Sequence, residues 1–299
     1  MSSERPAPRD PFSKYRDQLS AVGFRPSSSR GQNFLLDPSL HRWIAEQAGA
    51  GPHDTVIEIG VGLGFLTREL AGVAGAVLAV EIEPRLLAIA QRELAGEAHI
   101  EWLQADALSG DGRRLAPRIR EVADGCQGRL MVVANLPYSV SGPLLAELAQ
   151  LGRVPDRVVV LVQRELGQRV CAGVGDDLYG GLSALTQGVF EARLLRDVSP
   201  TVFRPRPKVW SSVVSLVRRR DLPEGLADPA ARPRYARFVR RLFGQRRKAL
   251  RTTVTAAAAE LGLAPPEIPA EVSGLRAEQL TPDELVALWR SCEGGNSPG

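Results

Sequence analysis

From Thr55 to Val162, short apolar runs that stop at a glycine or a polar residue alternate with longer amphipathic segments. That alternation leaves few folds open, because repeated strand–helix units lay their strands side by side in a parallel sheet wound on both faces. Val56-Ile57-Glu58-Ile59 is the first strand, Gly60-Val61-Gly62-Leu63-Gly64 a glycine-rich turn, and Phe65 to Leu70 the start of a helix. Val77 to Val80 ends in Glu81 and precedes a helix from Pro84 to Leu94, while Ile100 to Gln104 runs on to Asp106. Leu130 to Ala134 stops abruptly at Asn135-Leu136-Pro137-Tyr138, a helix follows near Pro143, and Arg157 to Val162 is the fifth strand. Ligands of open α/β sheets bind beyond the carboxyl ends of the strands. The chemistry is therefore expected where these runs stop.

The glycine turn excludes two nucleotide sites. A dinucleotide fingerprint counted from Gly60 puts Phe65 in the third glycine's place, and counted from Gly62 it puts Thr67 there. A Walker A loop needs a Gly-Lys-Ser/Thr that does not follow. What remains is Glu-x-Gly-x-Gly-x-Gly with Glu81 at the tip of the next strand and Asp106 beyond the one after. Glycines let backbone approach a ligand closely, and Glu81 is placed to accept both hydroxyls of a ribose. Asp106 is placed to accept from the exocyclic amine of an adenine. A ligand with ribose, adenine and a cationic centre but no phosphates suits this acidic rim, and S-adenosylmethionine matches. Ahead of the strands, Asp37 with Pro38 reads as the cap of a helix through Ile44 toward Ala48, leaving Gln32 and Asn33 just before it to bond a ligand.

The 299 residues suffice for a large domain and a small one, and charge is unevenly spread along them. The net charge is +4, but Glu191 to Arg251 holds 17 basic and 5 acidic residues, so this block carries +12 and the rest −8. A basic block on an acidic body points to a polyanionic partner. Residues 1–30, with four prolines and Ser27-Ser28-Ser29, read as a partly mobile leader holding one short helix from Phe12 to Val22. A Rossmann-like domain is expected over 31–218, closed by the strand Ser211 to Val217, then a linker over 219–232 and a basic helical domain over 233–299. Within that domain a helix is expected from Tyr235 to Val254, with others at Ala256–Leu261 and Pro282–Trp289. Cys126, Cys171 and Cys292 are few, odd in number and scattered, so neither a disulfide framework nor a zinc site is expected. No apolar run of about 18 residues occurs, so no membrane span is expected and a cytoplasmic location is.

At this point the sequence resembles the rRNA adenine N6,N6-dimethyltransferase family, whose bacterial members modify two adjacent adenosines of small-subunit rRNA. The resemblance runs from about Gly31 to Trp289. It rests on Gly31-Gln32-Asn33-Phe34-Leu35, Glu58-Ile59-Gly60, Glu81-Ile82-Glu83, Asn135-Leu136-Pro137-Tyr138 and Gln163-Arg164-Glu165. Later come Phe203-Arg204-Pro205-Arg206-Pro207-Lys208-Val209, Gln245-Arg246-Arg247-Lys248 and Arg276-Ala277-Glu278. It implies a Rossmann-like class I S-adenosylmethionine-dependent methyltransferase sheet with a small C-terminal helical domain. Gln32, Asn33, Leu35, Gly60, Gly62, Glu81, Ile82, Asp106, Ala107 and Asn135 would bind the methyl donor. Val61, Glu83, Ser139 and Gly181 stand where the family usually has proline, aspartate, asparagine and arginine.

Asn135, Leu136, Pro137 and Tyr138 would carry the chemistry. The lone pair of adenine N6 is delocalised into the ring and must be localised before it can attack. The Asn135 side-chain oxygen and the Leu136 carbonyl would each accept one N6 hydrogen, and Pro137 would hold Leu136 extended. Tyr138 and Phe203 are expected to stack an extruded adenine. Arg206, Lys208, Arg246, Arg247 and Lys248 are expected on rRNA phosphates. His41, His53 and His99 lie outside these motifs, so neither metal nor histidine catalysis is expected. The substrate would be the 3'-terminal hairpin of small-subunit rRNA in a pre-ribosomal particle, and the enzyme a monomer. Two alternatives share the fold: an antibiotic-resistance methylase of large-subunit rRNA, and an RNA-binding assembly factor without catalysis. Asn-Leu-Pro-Tyr and the full-length resemblance weigh against the first, and retained Glu81, Asp106 and Asn135 against the second.

Overall fold

A computed structural model describes residues 13–27, 31–109 and 114–294. In chain order it has α1 (Ser13–Ala21), β1 (Phe34–Leu35), α2 (Pro38–Ala48), β2 (Thr55–Ile59), α3 (Phe65–Ala71), β3 (Ala76–Glu81) and α4 (Pro84–Glu93). Then come β4 (Ile100–Gln104), β5 (Leu108–Ser109), β6 (Arg114–Leu115), α5 (Pro117–Gly125), β7 (Leu130–Asn135), α6 (Ser141–Leu148) and β8 (Arg157–Gln163). The remainder is α7 (Arg164–Cys171), α8 (Gly181–Gln187), β9 (Phe190–Val198), β10 (Phe203–Arg204) and β11 (Ser211–Arg218). Last are α9 (Glu224–Ala227), α10 (Ala231–Gly244), α11 (Leu250–Glu260), α12 (Ala270–Ser273) and α13 (Pro282–Gly294).

The main sheet has seven strands in the order β4-β3-β2-β7-β8-β11-β9. β4, β3, β2, β7 and β8 are parallel, and β11 runs antiparallel to both β8 and β9. This is the parallel sheet expected from the repeated units, extended at one edge by an antiparallel pair. β2, β7 and β8 are buried almost throughout, so they are continuous apolar runs rather than alternating ones. From β2 the chain steps outward to β3 and β4, then returns to β7 on the other side of β2. A crevice opens at such a reversal, beyond the carboxyl ends of the strands.

Three expectations about the flanking regions change. Residues 1–12 and 28–30 of the expected leader lie outside the described residues, but α1 and the turn after it are packed. Leu19 and Phe24 join Phe34, Leu63, Leu86 and Ile89 in one apolar cluster. Polar contacts reinforce it: Gln18 Nε2 donates to Glu93 Oε1 at 2.9 Å, and Arg85 Nη1 to the Gly23 carbonyl at 3.1 Å. Segment 219–232 is not an open linker, since it holds α9 and the start of α10. Arg232 there is 5% exposed and donates to the carbonyls of Leu226, Leu151, Gly152 and Ala227.

The single helix expected from Tyr235 to Val254 is two helices, broken at 245–249. The restart is fixed from a distance, because the Leu250 N–H donates to the Leu275 carbonyl at 2.8 Å. The C-terminal helices also share the core of the sheet domain. Tyr235, Phe238, Leu242 and Trp289 belong to the same buried cluster as Leu144, Val160 and Tyr179. No helix among the described residues is long and apolar enough to cross a membrane.

Candidate active site

The crevice between β2 and β7 holds a cavity of about 260 Å³. Gly60 and Gly62 floor it, Glu81, Ile82, Asp106 and Ala107 form one wall, and Gln32, Asn33 and Asn135 the other. Gly60 and Gly62 have φ of +82° and +58°, values that side chains disfavour. The turn is held by the acid on the next strand: Glu81 Oε2 accepts from the Gly62 N–H and Oε1 from the Glu83 N–H, each at 2.9 Å. Burial raises the Glu81 carboxyl above its ordinary range, against the pull of those N–H groups. Each oxygen has a second lone pair for a ribose hydroxyl. Asp106 is exposed, and its Oδ1 accepts from the Leu108 N–H at 2.9 Å.

Beneath the turn, a smaller cavity of about 40 Å³ lies among Phe34, His41, Glu58, Gly62 and Asn135. Glu58 is 1% exposed, and its Oε2 has no hydrogen-bond partner among the described residues. Burial pushes its carboxyl up to about 8, with Thr67 opposing and the Glu81 charge adding. Burial pushes His41 the other way, down to about 4, against the field of Asp37. Both groups are therefore neutral near pH 7.

At the end of β7, Asn135 Nδ2 donates to the Asn33 carbonyl at 3.4 Å, which turns the Asn135 oxygen into an available acceptor. The Leu136 N–H donates to the Leu161 carbonyl at 3.1 Å, and the Pro137 carbonyl accepts from Val140 N–H and Ser141 Oγ. The motif is thus fastened on both sides. Gly31, at φ +71°, packs so closely that a Cβ there would sit 3.1 Å from Pro137 Cβ. Tyr138 is half-buried, with its hydroxyl 2.9 Å from Ser211 Oγ on β11, and burial raises its phenol.

Two expected residues are packed into the core. Leu35 and Phe203 are paired in the β1–β10 ladder, 2% and 1% exposed, and both belong to the core cluster beneath the sheet. Successive strand residues face opposite ways, so Phe34 lines the larger cavity, while Leu35 packs into the core and reaches only the smaller cavity beneath the turn. Phe203 packs into this cluster rather than standing open on the surface. Leu136, itself 2% exposed, offers the site only its backbone. Gln32 lines the cavity, but its Oε1 accepts from the Ser27 N–H, so the amide also braces its own turn. The sequence reading missed Phe34, Leu86 and Val140 on the cavity wall; their signal was adjacency to the motif residues.

Of the basic residues expected on RNA, Arg206, Lys208, Arg247 and Lys248 are exposed. Arg246 is engaged within the chain, ion-paired with Glu278 and donating to the Asp177 carbonyl at 3.0 Å.

A family model described as ribosomal RNA adenine dimethylase matches residues 23–278. The chain belongs to the ribosomal RNA adenine dimethylase family. Among its relatives, ribosomal RNA small subunit methyltransferase A of Moorella thermoacetica is 38% identical over 277 residues, covering 91% of this chain and 94% of that protein. The protein of the same name from Deinococcus radiodurans is 39% identical over 278 residues, covering 88% of each. In fold, a dimethyladenosine transferase from Plasmodium falciparum superposes with a TM-score of 0.65 at 21% identity, covering 84% of this chain and 94% of that one. The 23S rRNA methyltransferase ErmE superposes at 0.59 with 26% identity, covering 87% and 99%.

The cofactor of this dimethylase family is S-adenosylmethionine, and the residues present fit it. Asn33 lines the cavity with a buried Oδ1 that lacks a partner among the described residues, while Glu81 and Asp106 supply the acceptors that a ribose and an adenine need. Two departures from the dimethylase pattern have local reasons. Val61 keeps an N–H that donates to the Val80 carbonyl at 3.4 Å, which proline would lack. Gly181 opens α8 against α10, where a Cβ would lie 3.3 Å from Phe243 Cβ.

Proposed function

We propose that this chain transfers methyl groups from S-adenosylmethionine to N6 of two adjacent adenosines in the 3'-terminal hairpin of small-subunit rRNA, within a pre-ribosomal particle. The observation that carries the reading is Asn135, held by Asn33 at the strand end where the donor cavity opens. The cofactor, when bound, supplies an electrophilic methyl on a sulfonium centre. Asn135 Oδ1 and the Leu136 carbonyl accept the two N6 hydrogens, pyramidalise the nitrogen and aim its lone pair. Asn33, Glu81 and Asp106 would hold the cofactor, and N6 would take the methyl from its sulfur in exchange for a proton released to solvent. Positioning and preorganised acceptors account for the rate.

Assignment to the small subunit is supported by relatives of that name at 38% and 39% identity along most of both chains, against 26% for the 23S enzyme. Deleting the gene and mapping N6 dimethylation by primer extension on both subunits tests the reading. Loss of a small-subunit signal is expected, and loss confined to the large subunit overturns it.

A further inference from the structure

Four tryptophans occur in the chain, and one of them stands in the open. Trp289 is 1% exposed, Trp43 lies under the Arg196 guanidinium at 5.7 Å, and Trp102 is half-buried, whereas Trp210 is 48% exposed. Its backbone is not loose. The Trp210 carbonyl accepts from the Arg164 N–H at 3.0 Å, and the next residue, Ser211, is paired with Gln163 on β8 and Val198 on β9. Arg164 is itself anchored by an ion pair to Asp197 at 3.2 Å.

The sheet register locates this indole relative to the reacting site. Asn135 is level with Leu161 on β8, and Ser211 is level with Gln163. Trp210 therefore lies three residues beyond the Asn135 level toward the open rim and two strands to the side, about 10 Å in each direction. Ser211 also holds the Tyr138 hydroxyl, so Trp210 is continuous with the Asn-Leu-Pro-Tyr loop. Its surroundings are basic: Arg204, Arg206 and Lys208 precede it, and no acidic residue occurs between Pro200 and Val217. An exposed, rigidly mounted aromatic among cations is a platform for an unpaired base rather than for an apolar protein face.

We propose that Trp210 stacks an unpaired nucleotide flanking the target adenosine, while Arg206 and Lys208 hold that nucleotide's phosphates. The proposal rests on RNA being the substrate and adds a contact away from the reacting atoms. It also accounts for how a site can present its adenine although Phe203 is buried: the strand is held beside the target rather than by a second ring over it.

The test uses the full chain with unmethylated small-subunit particles and, separately, a single-stranded oligoribonucleotide of the target loop. Trp210→Ala is expected to raise KM for the particle about tenfold while kcat changes little, and Trp210→Phe to restore most of the affinity. Binding of the oligonucleotide is expected to quench the wild-type fluorescence, and Trp210→Phe to lose that quenching while still binding. Matching thermal midpoints and cofactor affinities show that the variants fold. An unchanged KM in Trp210→Ala, or quenching that survives in Trp210→Phe, overturns the proposal. So does quenching by a ribosomal protein with none by RNA. A wild-type enzyme that leaves small-subunit particles unmethylated yet loses quenching only in the Trp210 variant would overturn the assigned substrate and leave the stacking platform supported.

Discussion

Asn135 Nδ2 lies 3.4 Å from the Asn33 carbonyl, a hydrogen bond that joins the central strand to the segment entering α2 across 102 residues. The bond fixes the orientation of the amide and leaves its oxygen as the available acceptor. Asn135→Ala removes the acceptor and is expected to lower kcat by roughly a hundredfold or more, with RNA binding nearly unchanged. Asn135→Asp keeps an acceptor but sets a carboxylate against the Asn33 carbonyl, so activity should fall there too. Single-turnover methylation with a parallel binding assay checks both, and full activity in the alanine variant would remove Asn135 from the mechanism.

Gly31 and Gly23 separate backbone strain from contact. Both have positive φ, +71° and +64°, but a Cβ on Gly31 would meet Pro137, whereas one on Gly23 meets nothing within 4 Å. Alanine at either costs about 1 kcal/mol of backbone strain. Only Gly31→Ala should also displace the Asn-Leu-Pro-Tyr loop, lowering kcat/KM by roughly tenfold to a hundredfold. Equal activity in the two variants would show that the loop position is not transmitted through Gly31.

Glu58 makes stability depend on pH in a direction unusual for a carboxylate. Its folded-state value of about 8 lies above the ordinary 4.5, so between these limits the folded protein holds more protons than the unfolded chain. Its contribution is intact below about pH 4.5 and is lost as pH rises through about 8. Glu58→Gln is neutral throughout. Wild type and variant should have similar urea midpoints near pH 4.5, diverge in favour of the glutamine up to about pH 8 and run parallel above it. A constant difference across that range would mean that the carboxyl is already charged.

The sheet was legible because β2, β3, β4, β7 and β8 are apolar runs closed by turn or acidic residues, and the donor cavity followed because Gly60, Glu81, Asp106 and Asn135 sit at those closures. What stayed hidden depends on distant partners. β9 is an edge strand whose apolar residues are interrupted by Glu191, Arg193, Arg196 and Asp197, so it carries no continuous apolar run. The division of labour between Phe34 and Leu35 needed the pairing with β10 to say which face each takes. The docking of α1 was hidden because its apolar residues are few and find their partners in distant segments, Phe34 of β1, the glycine turn and α4.

Arg232 shows the same limit in a segment whose prolines and glycine suggested a linker. Its guanidinium satisfies four carbonyls at the junction of α9, α10 and the loop after α6. Arg232→Met keeps much of the bulk but leaves those carbonyls short of donors. A loss on the order of 3 kcal/mol is expected in chemical denaturation. A loss below about 1 kcal/mol would mean that water replaces the guanidinium there.

The basic stretch between α10 and α11 divides by what each side chain already holds. Arg246 is committed to Glu278 and the Asp177 carbonyl, while Arg247 and Lys248 are exposed. A cation that neutralises an RNA phosphate on binding releases a counterion, and each such contact adds about 0.7 to 0.9 to the slope of log affinity against log salt. Replacing Arg247 and Lys248 with alanine should therefore weaken RNA binding and reduce that slope by about 1.5. Arg246→Ala should leave the slope nearly unchanged and lower the thermal midpoint instead, because it removes a tie between the α10–α11 turn and Glu278. Fluorescence-anisotropy titrations at several salt concentrations read the first effect, and calorimetry the second. If Arg246→Ala flattens the slope as much as the double variant does, the ion pair opens on RNA and the three residues act as one phosphate clamp.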